Sequence, residues 1–139
     1  MIRIAVDTNI LVSATFWHGA SHRIIELVEQ GKIEMVLSDA IIREFSAVLE
    51  YDEIKRKIVS KGLLMQRTVE KLVSMAIIVA PAIKISVVKE DPDDDKILEC
   101  AVAGGADYLI SKDNHLLRIA KYGKVKIVSP EDFLVSFEA

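Results

Sequence analysis

The sequence lacks the features that mark secreted or membrane proteins. No apolar run is long enough to span a bilayer. The first residues lack the charged, apolar, then small order of a signal peptide, and strand-forming residues start at once. A single cysteine, Cys100, excludes an intrachain disulfide and fits a reducing cytoplasm, where we expect the chain to reside. There is no basic excess either: 18 Lys and Arg face 21 Asp and Glu, a net charge of −3. A protein that coats nucleic acid would be basic overall. A nuclease is not excluded, because bound cations offset its own carboxylates. The histidines, His18, His22 and His115, lack zinc-ligand spacing and read as surface or boundary residues. Without repeats, low-complexity tracts or linkers, residues 1–139 read as one domain, and its 51% hydrophobic content is enough for a core.

What is present is an alternation of short β-branched runs with amphipathic segments. Strands are expected at 2–6, 33–37, 77–80, 108–111 and 125–128, with 83–88 extended. Helices are expected at 21–30, from a Ser38 cap to 50, as a hairpin over 53–76 broken near Lys61-Gly62, and at 114–121. Asp91-Pro92 opens a further helix that runs to Gly104-Gly105, and Ser129-Pro130-Glu131-Asp132 opens the last one. Strands alternating with helices give an α/β fold, a central parallel sheet covered by helices on both faces.

The chain is organised around Met1–Asn9, where an apolar run ends abruptly in Asp7-Thr8-Asn9. Ligands of such sheets bind at the carboxyl ends of the strands. A charge buried there needs a partner or a metal. Three more acids fall near the same edge. Glu44 sits at the border of the apolar stripe of the helix after strand two, where a solvated boundary residue is the alternative. Asp94 has Ile97, Leu98 and Ala101 at i+3, i+4 and i+7, so it heads the buried face of its helix. Asp95 shares a side with Glu99 as well as Leu98, nearer to solvent, and stands in reserve; Asp93 points away. Acids in a first helical turn also serve the helix dipole alone. Asp113 follows the fourth strand in Ser111-Lys112-Asp113-Asn114, where an ordinary helix cap is the alternative. Four carboxylates at one edge repel, and a hard divalent cation such as Mg²⁺ or Mn²⁺ relieves that repulsion.

Cys100 has no evident base and reads as packing, and Phe16-Trp17 as core or a self-association patch. Residues 51–71 carry Lys55, Arg56, Lys57, Lys61, Arg67 and Lys71 and are net +3, whereas residues 84–99 are net −3. The basic hairpin is a candidate RNA-binding surface or simply a solvated face.

Together these residues resemble the PIN-domain family, the nucleases that include VapC-type toxins. The resemblance rests on Asp7-Thr8-Asn9-Ile10-Leu11, Glu44, the Asp94-x-x-Ile97-Leu98-x-x-Ala101 pattern and Tyr108-Leu109-Ile110-Ser111-Lys112-Asp113. Asp91-Pro92-x-Asp94-Asp95 with Gly104-Gly105-Ala106-Asp107 is most similar to a subgroup described as toxin components. The resemblance implies a PIN-like three-layer sandwich. It implies that Asp7, Glu44, Asp94 and Asp113 hold one or two Mg²⁺ or Mn²⁺ ions, and that Asn9 and Ser111 orient them. It further implies cleavage of single-stranded or structured RNA, frequent homodimers and, in toxins, a small antitoxin that blocks the cleft.

Two rivals are open. A haloacid-dehalogenase-like phosphohydrolase also places an aspartate after strand one, but wants a second acid two residues on, where this chain has Asn9. A PIN-like module that binds RNA or protein without cutting has no use for four clustered carboxylates.

Overall fold

The computed structural model describes residues 1–86 and 92–138. Its first strand, β1 (Arg3–Val6), is buried from Ile4 to Val6, as its apolar run requires. Two helices, α1 (Thr8–Phe16) and α2 (Ala20–Glu29), lead to β2 (Glu34–Ser38). Then come α3 (Asp39–Leu49), capped by Ser38, and the hairpin of α4 (Asp52–Ser60) and α5 (Met65–Met75). A third strand, β3 (Ala76–Val79), closes this half. The second half holds α6 (Pro92–Ala103), β4 (Tyr108–Ile110), α7 (Asn114–Ile119), β5 (Lys121–Tyr122), β6 (Val125–Val128) and α8 (Pro130–Glu138).

The sheet runs β3-β2-β1-β4-β6-β5, parallel throughout except for the short β5–β6 pair. Chain order moves outward from β1 to β3, then returns to β4 on β1's other side. Helices flank this sheet, with α3 packed on β2, α6 on β1, β2 and β4, and α7 on β6. The α/β sandwich expected from the alternation is what forms. The change of direction between β1 and β4 is the position where open α/β sheets bind ligands.

Two adjacent glycines let α6 end against the sheet. A Cβ on Gly104 would lie 2.8 Å from both Val36 methyls, so only glycine lets this turn approach β2. Gly105 has φ of +63°, the left-handed stop expected after a helix.

Several expectations need correction. Residues 8–16 form a helix that the pattern does not announce, because Thr8, Ile10, Leu11, Ala14 and Phe16 are buried on more than one side and leave no clear amphipathic period. The helix expected over 114–121 ends at Ile119: Ala120 takes φ of +63°, and Lys121–Tyr122 pair with β6. Phe16 is core, but Trp17 is half exposed with the Lys57 ammonium 4.6 Å from its ring centroid. Asp95 is buried as deeply as Asp94, since α6 packs against both the sheet and α3. The cap expected at Asp91, part of the extended run at 83–88, and the side chain of Asp93 lie outside the described residues.

Candidate functional site

The strand ends carry the chemistry. The Asp7 backbone N–H still pairs with Ile110 O at 3.3 Å, so the residue extends β1 before the chain turns into α1. Its extended backbone makes it the N-cap of that helix, and Oδ1 accepts from Ile10 N at 3.0 Å. Oδ2 accepts from the Ser111 hydroxyl, at the end of neighbouring β4. Both oxygens are thus held, yet a carboxylate offers about four acceptor positions, so each keeps one for another donor or an ion.

Ser111 is fully buried and works in two directions. Its hydroxyl donates to Asp7 and accepts from the Asp113 backbone N–H at 2.9 Å. Asp113 then caps α7, with Oδ1 accepting from His115 N at 2.7 Å. Ligand and cap, weighed as alternatives from the sequence, are compatible: the cap occupies one oxygen and fixes the direction of the other. Asp7 and Asp113 are therefore built alike, each ending a central parallel strand and each oriented by the helix it starts.

Burial pushes the Asp7 carboxyl above its ordinary value, against the lowering effect of its bonds to Ser111 and Ile10; the nearby Asp113 and Glu44 carboxylates push it further up. Glu44 is exposed on α3, and its charge reaches Asp7. Thr8 Oγ1, next in sequence, is buried with no hydrogen-bond partner among the described residues.

On the other side of Asp113, one ligand atom each from Asp94, Asp113 and His115 lie within 4.8 Å of one another. Asp94 is buried at the start of α6, and Asp113 and His115 are partly exposed at the start of α7. The structure thus brings Asp94 and Asp113 together, and links Asp7 to Asp113 and Glu44 through their charges. Asp95 is not in the three-residue group. Asn9 is exposed in the first turn of α1. His115 was missed from sequence; the signal was its place two residues after an acid at a strand's end.

The basic hairpin is partly self-satisfied. Lys55 pairs with Glu50 at 2.9 Å, Lys71 with Glu29 at 3.6 Å, and Lys57 lies over Trp17. Arg56 Nε donates to Asp52 O at 3.4 Å, while Lys61 and Arg67 are exposed. Cys100 is buried, and burial pushes its thiol up to about 11, which suits packing rather than nucleophilic attack.

Among solved structures, two examples show the same fold. VapBC2 from Rickettsia felis, solved bound to a DNA fragment from its promoter, matches with a TM-score of 0.60 at 16% identity, over 91% of this chain and 97% of that one. The PIN domain of T. brucei RRP44 matches with a TM-score of 0.50 at 14% identity, over 99% of this chain and 82% of that one. No curated protein sequence matches significantly. The family model for the PIN domain matches residues 3–115, a span that begins in β1 and ends with His115. The chain belongs to the PIN-domain family, a family of nucleases.

Proposed function

We propose that this protein is an endoribonuclease that depends on Mg²⁺ or Mn²⁺ held at the carboxyl edge of the sheet. The observation that carries the reading is the convergence of Asp94, Asp113 and a His115 ring nitrogen beside a buried Asp7 whose charged neighbours, Asp113 and Glu44, are also acids. Such a group of acids is costly when ionised and becomes favourable once a cation joins it. Carboxylate oxygens suit hard divalent ions, and Asp7 keeps acceptor capacity after its two hydrogen bonds.

Asp7, Asp94 and Asp113 would hold the ion or ions, with Glu44 completing the acid set from α3. Bound there, a divalent ion neutralises phosphodiester charge, lowers the pKa of an attacking water and stabilises the leaving alkoxide. The chain's own residues supply orientation. Ser111 donates to Asp7 and accepts from the Asp113 backbone, so the two strand-end acids share one support. Asn9 and Asp95, close in sequence to Asp7 and Asp94, would help to orient the acids. Without the ion, the acids repel a phosphate backbone.

The substrate is single-stranded or structured RNA, steered by the basic hairpin. Lys61 and Arg67 are its exposed contacts, whereas Lys55, Arg56 and Lys57 must exchange their local partners for phosphate. The likeness to a VapBC2 chain supports the toxin half of a toxin–antitoxin pair, with a small antitoxin as partner.

The test is incubation with a structured RNA in Mn²⁺, Mg²⁺ or EDTA, beside an Asp7→Asn/Asp94→Asn double variant. We expect metal-dependent cleavage that the variant loses. No cleavage in any metal, together with no ion uptake in a binding titration, would leave a PIN-like module that binds without cutting. For the toxin role, growth arrest on expression, relieved by Asp7→Asn, is the expected outcome.

A further inference from the structure

The acids of the site were expected to act as a set of oxygen donors. The structure adds a nitrogen. His115 is the second residue of α7, and its position is set by the Asp113 cap: the His115 backbone N–H donates to Asp113 Oδ1, and Nδ1 lies 3.6 Å from the same oxygen. A ring nitrogen thereby joins carboxylate oxygens of Asp94 and Asp113 within 4.8 Å.

We infer that His115 is a ligand of the ion at this site and gives it a preference for Mn²⁺ over Mg²⁺. Two arguments carry this. A neutral imidazole adds a lone pair without a further negative charge, beside carboxylates of Asp94 and Asp113 and near an Asp7 that the Asp113 and Glu44 charges already disfavour as an anion. A fifth carboxylate would add to that repulsion. Ligand type then decides between ions. Mg²⁺ favours oxygen and keeps much of its water, whereas Mn²⁺, though itself suited to carboxylates and the weakest binder of its transition series, gives up an oxygen for an imidazole nitrogen at less cost than Mg²⁺ does. The mixed oxygen and nitrogen set thus discriminates where an all-carboxylate set would not.

The inference rests on the metal-dependent reading above, and the test separates the two. Mn²⁺ bound to the intact protein is examined by pulsed EPR for coupling to ¹⁴N, and the Kd values for Mn²⁺ and Mg²⁺ are measured by titration. Wild type, His115→Asp and His115→Asn are compared, with circular dichroism to confirm folding. Aspartate suits the first turn of a helix, so His115→Asp retains α7. We expect nitrogen coupling in the wild type, absent in both variants, and a Mn²⁺/Mg²⁺ affinity ratio that falls by about tenfold in His115→Asp, equivalent to about 1.4 kcal/mol. Mn²⁺ bound without nitrogen coupling, or a ratio unchanged in His115→Asp, would overturn the role of His115 and leave the carboxylate site standing. No uptake of either ion by the wild type would overturn both.

Discussion

At the amino end of the sheet, Arg3 donates from one guanidinium nitrogen to Gly104 O at 2.8 Å and meets Glu34 at 3.3 Å. Its backbone N–H donates to Asp107 Oδ2 at 2.9 Å, and Asp107 N returns a bond to Arg3 O at 2.7 Å. Four residues along the same strand, Asp7 is more deeply buried, and the charges that bear on it come from Asp113 and Glu44. The amino end pairs an acid with a cation and stitches neighbouring strands through backbone bonds. The carboxyl end gathers like charges around a hydroxyl. One arrangement lowers the folded state's energy as it stands; the other stores an electrostatic deficit that a cation can relieve.

The largest effect we expect comes from separating these roles. Asp7→Asn keeps the cap, since asparagine caps helices as well as aspartate does, but removes a buried charge. RNA cleavage should fall on the order of 10³-fold, because ion-dependent stabilisation is worth several kcal/mol and each ~1.4 kcal/mol is tenfold. Metal-free stability should rise, by on the order of 1 kcal/mol, the usual size of a single stabilising change. Cleavage assays and thermal melts in EDTA give the two readings. Arg3→Ala should do the reverse, leaving cleavage per folded molecule unchanged. If Asp7→Asn destabilised the metal-free protein, the contrast between the two ends would be wrong.

The carboxyl end of this contrast was legible in the sequence, the Arg3 pairing at the amino end was not, and what went unread has identifiable causes. Asp7 and Asp113 announce themselves because each stops an apolar strand abruptly. Their second function was legible only for Asp113, whose helix has a recognisable start. The helix after Asp7 is too buried to show an amphipathic stripe, so the cap geometry that fixes the Asp7 carboxylate went unseen. Helical phase placed Asp94 correctly at the head of a buried face but set Asp95 near solvent. A wheel drawn for one buried face fails for a helix packed on two sides. His115 escaped because histidines were weighed by zinc spacing, whereas its neighbours are carboxylates, Asp113 two residues before it and Asp94 from a distant helix. The β5–β6 hairpin turns at Gly123, with φ of +58°, but its first strand is only Lys121–Tyr122, of which Lys121 read as the end of a helix and Tyr122 as part of no element.

A second way to probe the comparison is to move the helix that carries Asp94. Gly104→Ala would set a methyl 2.8 Å from the Val36 side chain, forcing the end of α6 away from β2. Overpacking of this kind costs about 1–3 kcal/mol, and denaturant unfolding should report a lower midpoint at unchanged slope. Arg3→Ala at the same end should cost less, about 1 kcal/mol, because its pair is partly exposed and its bond to Gly104 O is one ordinary hydrogen bond. Equal losses would mean that packing and pairing contribute alike to the amino end.

The smallest effect is the most direct reading of the deficit at Asp7. An aspartate in an unfolded chain has a pKa of about 3.9, and folding raises that of Asp7 through burial and its acidic neighbours. Between the two values the folded protein binds more protons than the unfolded one, so stability falls as pH rises. Asp7's contribution is fully present below the unfolded value and is lost as pH climbs through the folded one. Comparing wild type with Asp7→Asn in EDTA at a series of pH values isolates this slope from the other acids. The variant's advantage should grow from about pH 4 upward and level off once Asp7 has ionised. Adding Mn²⁺ should then reverse the order, since an ion that binds only the folded state stabilises it by mass action and the variant has lost part of its site. An advantage for the variant that is constant with pH would mean that the Asp7 charge carries no penalty, and the carboxyl end would need a different account.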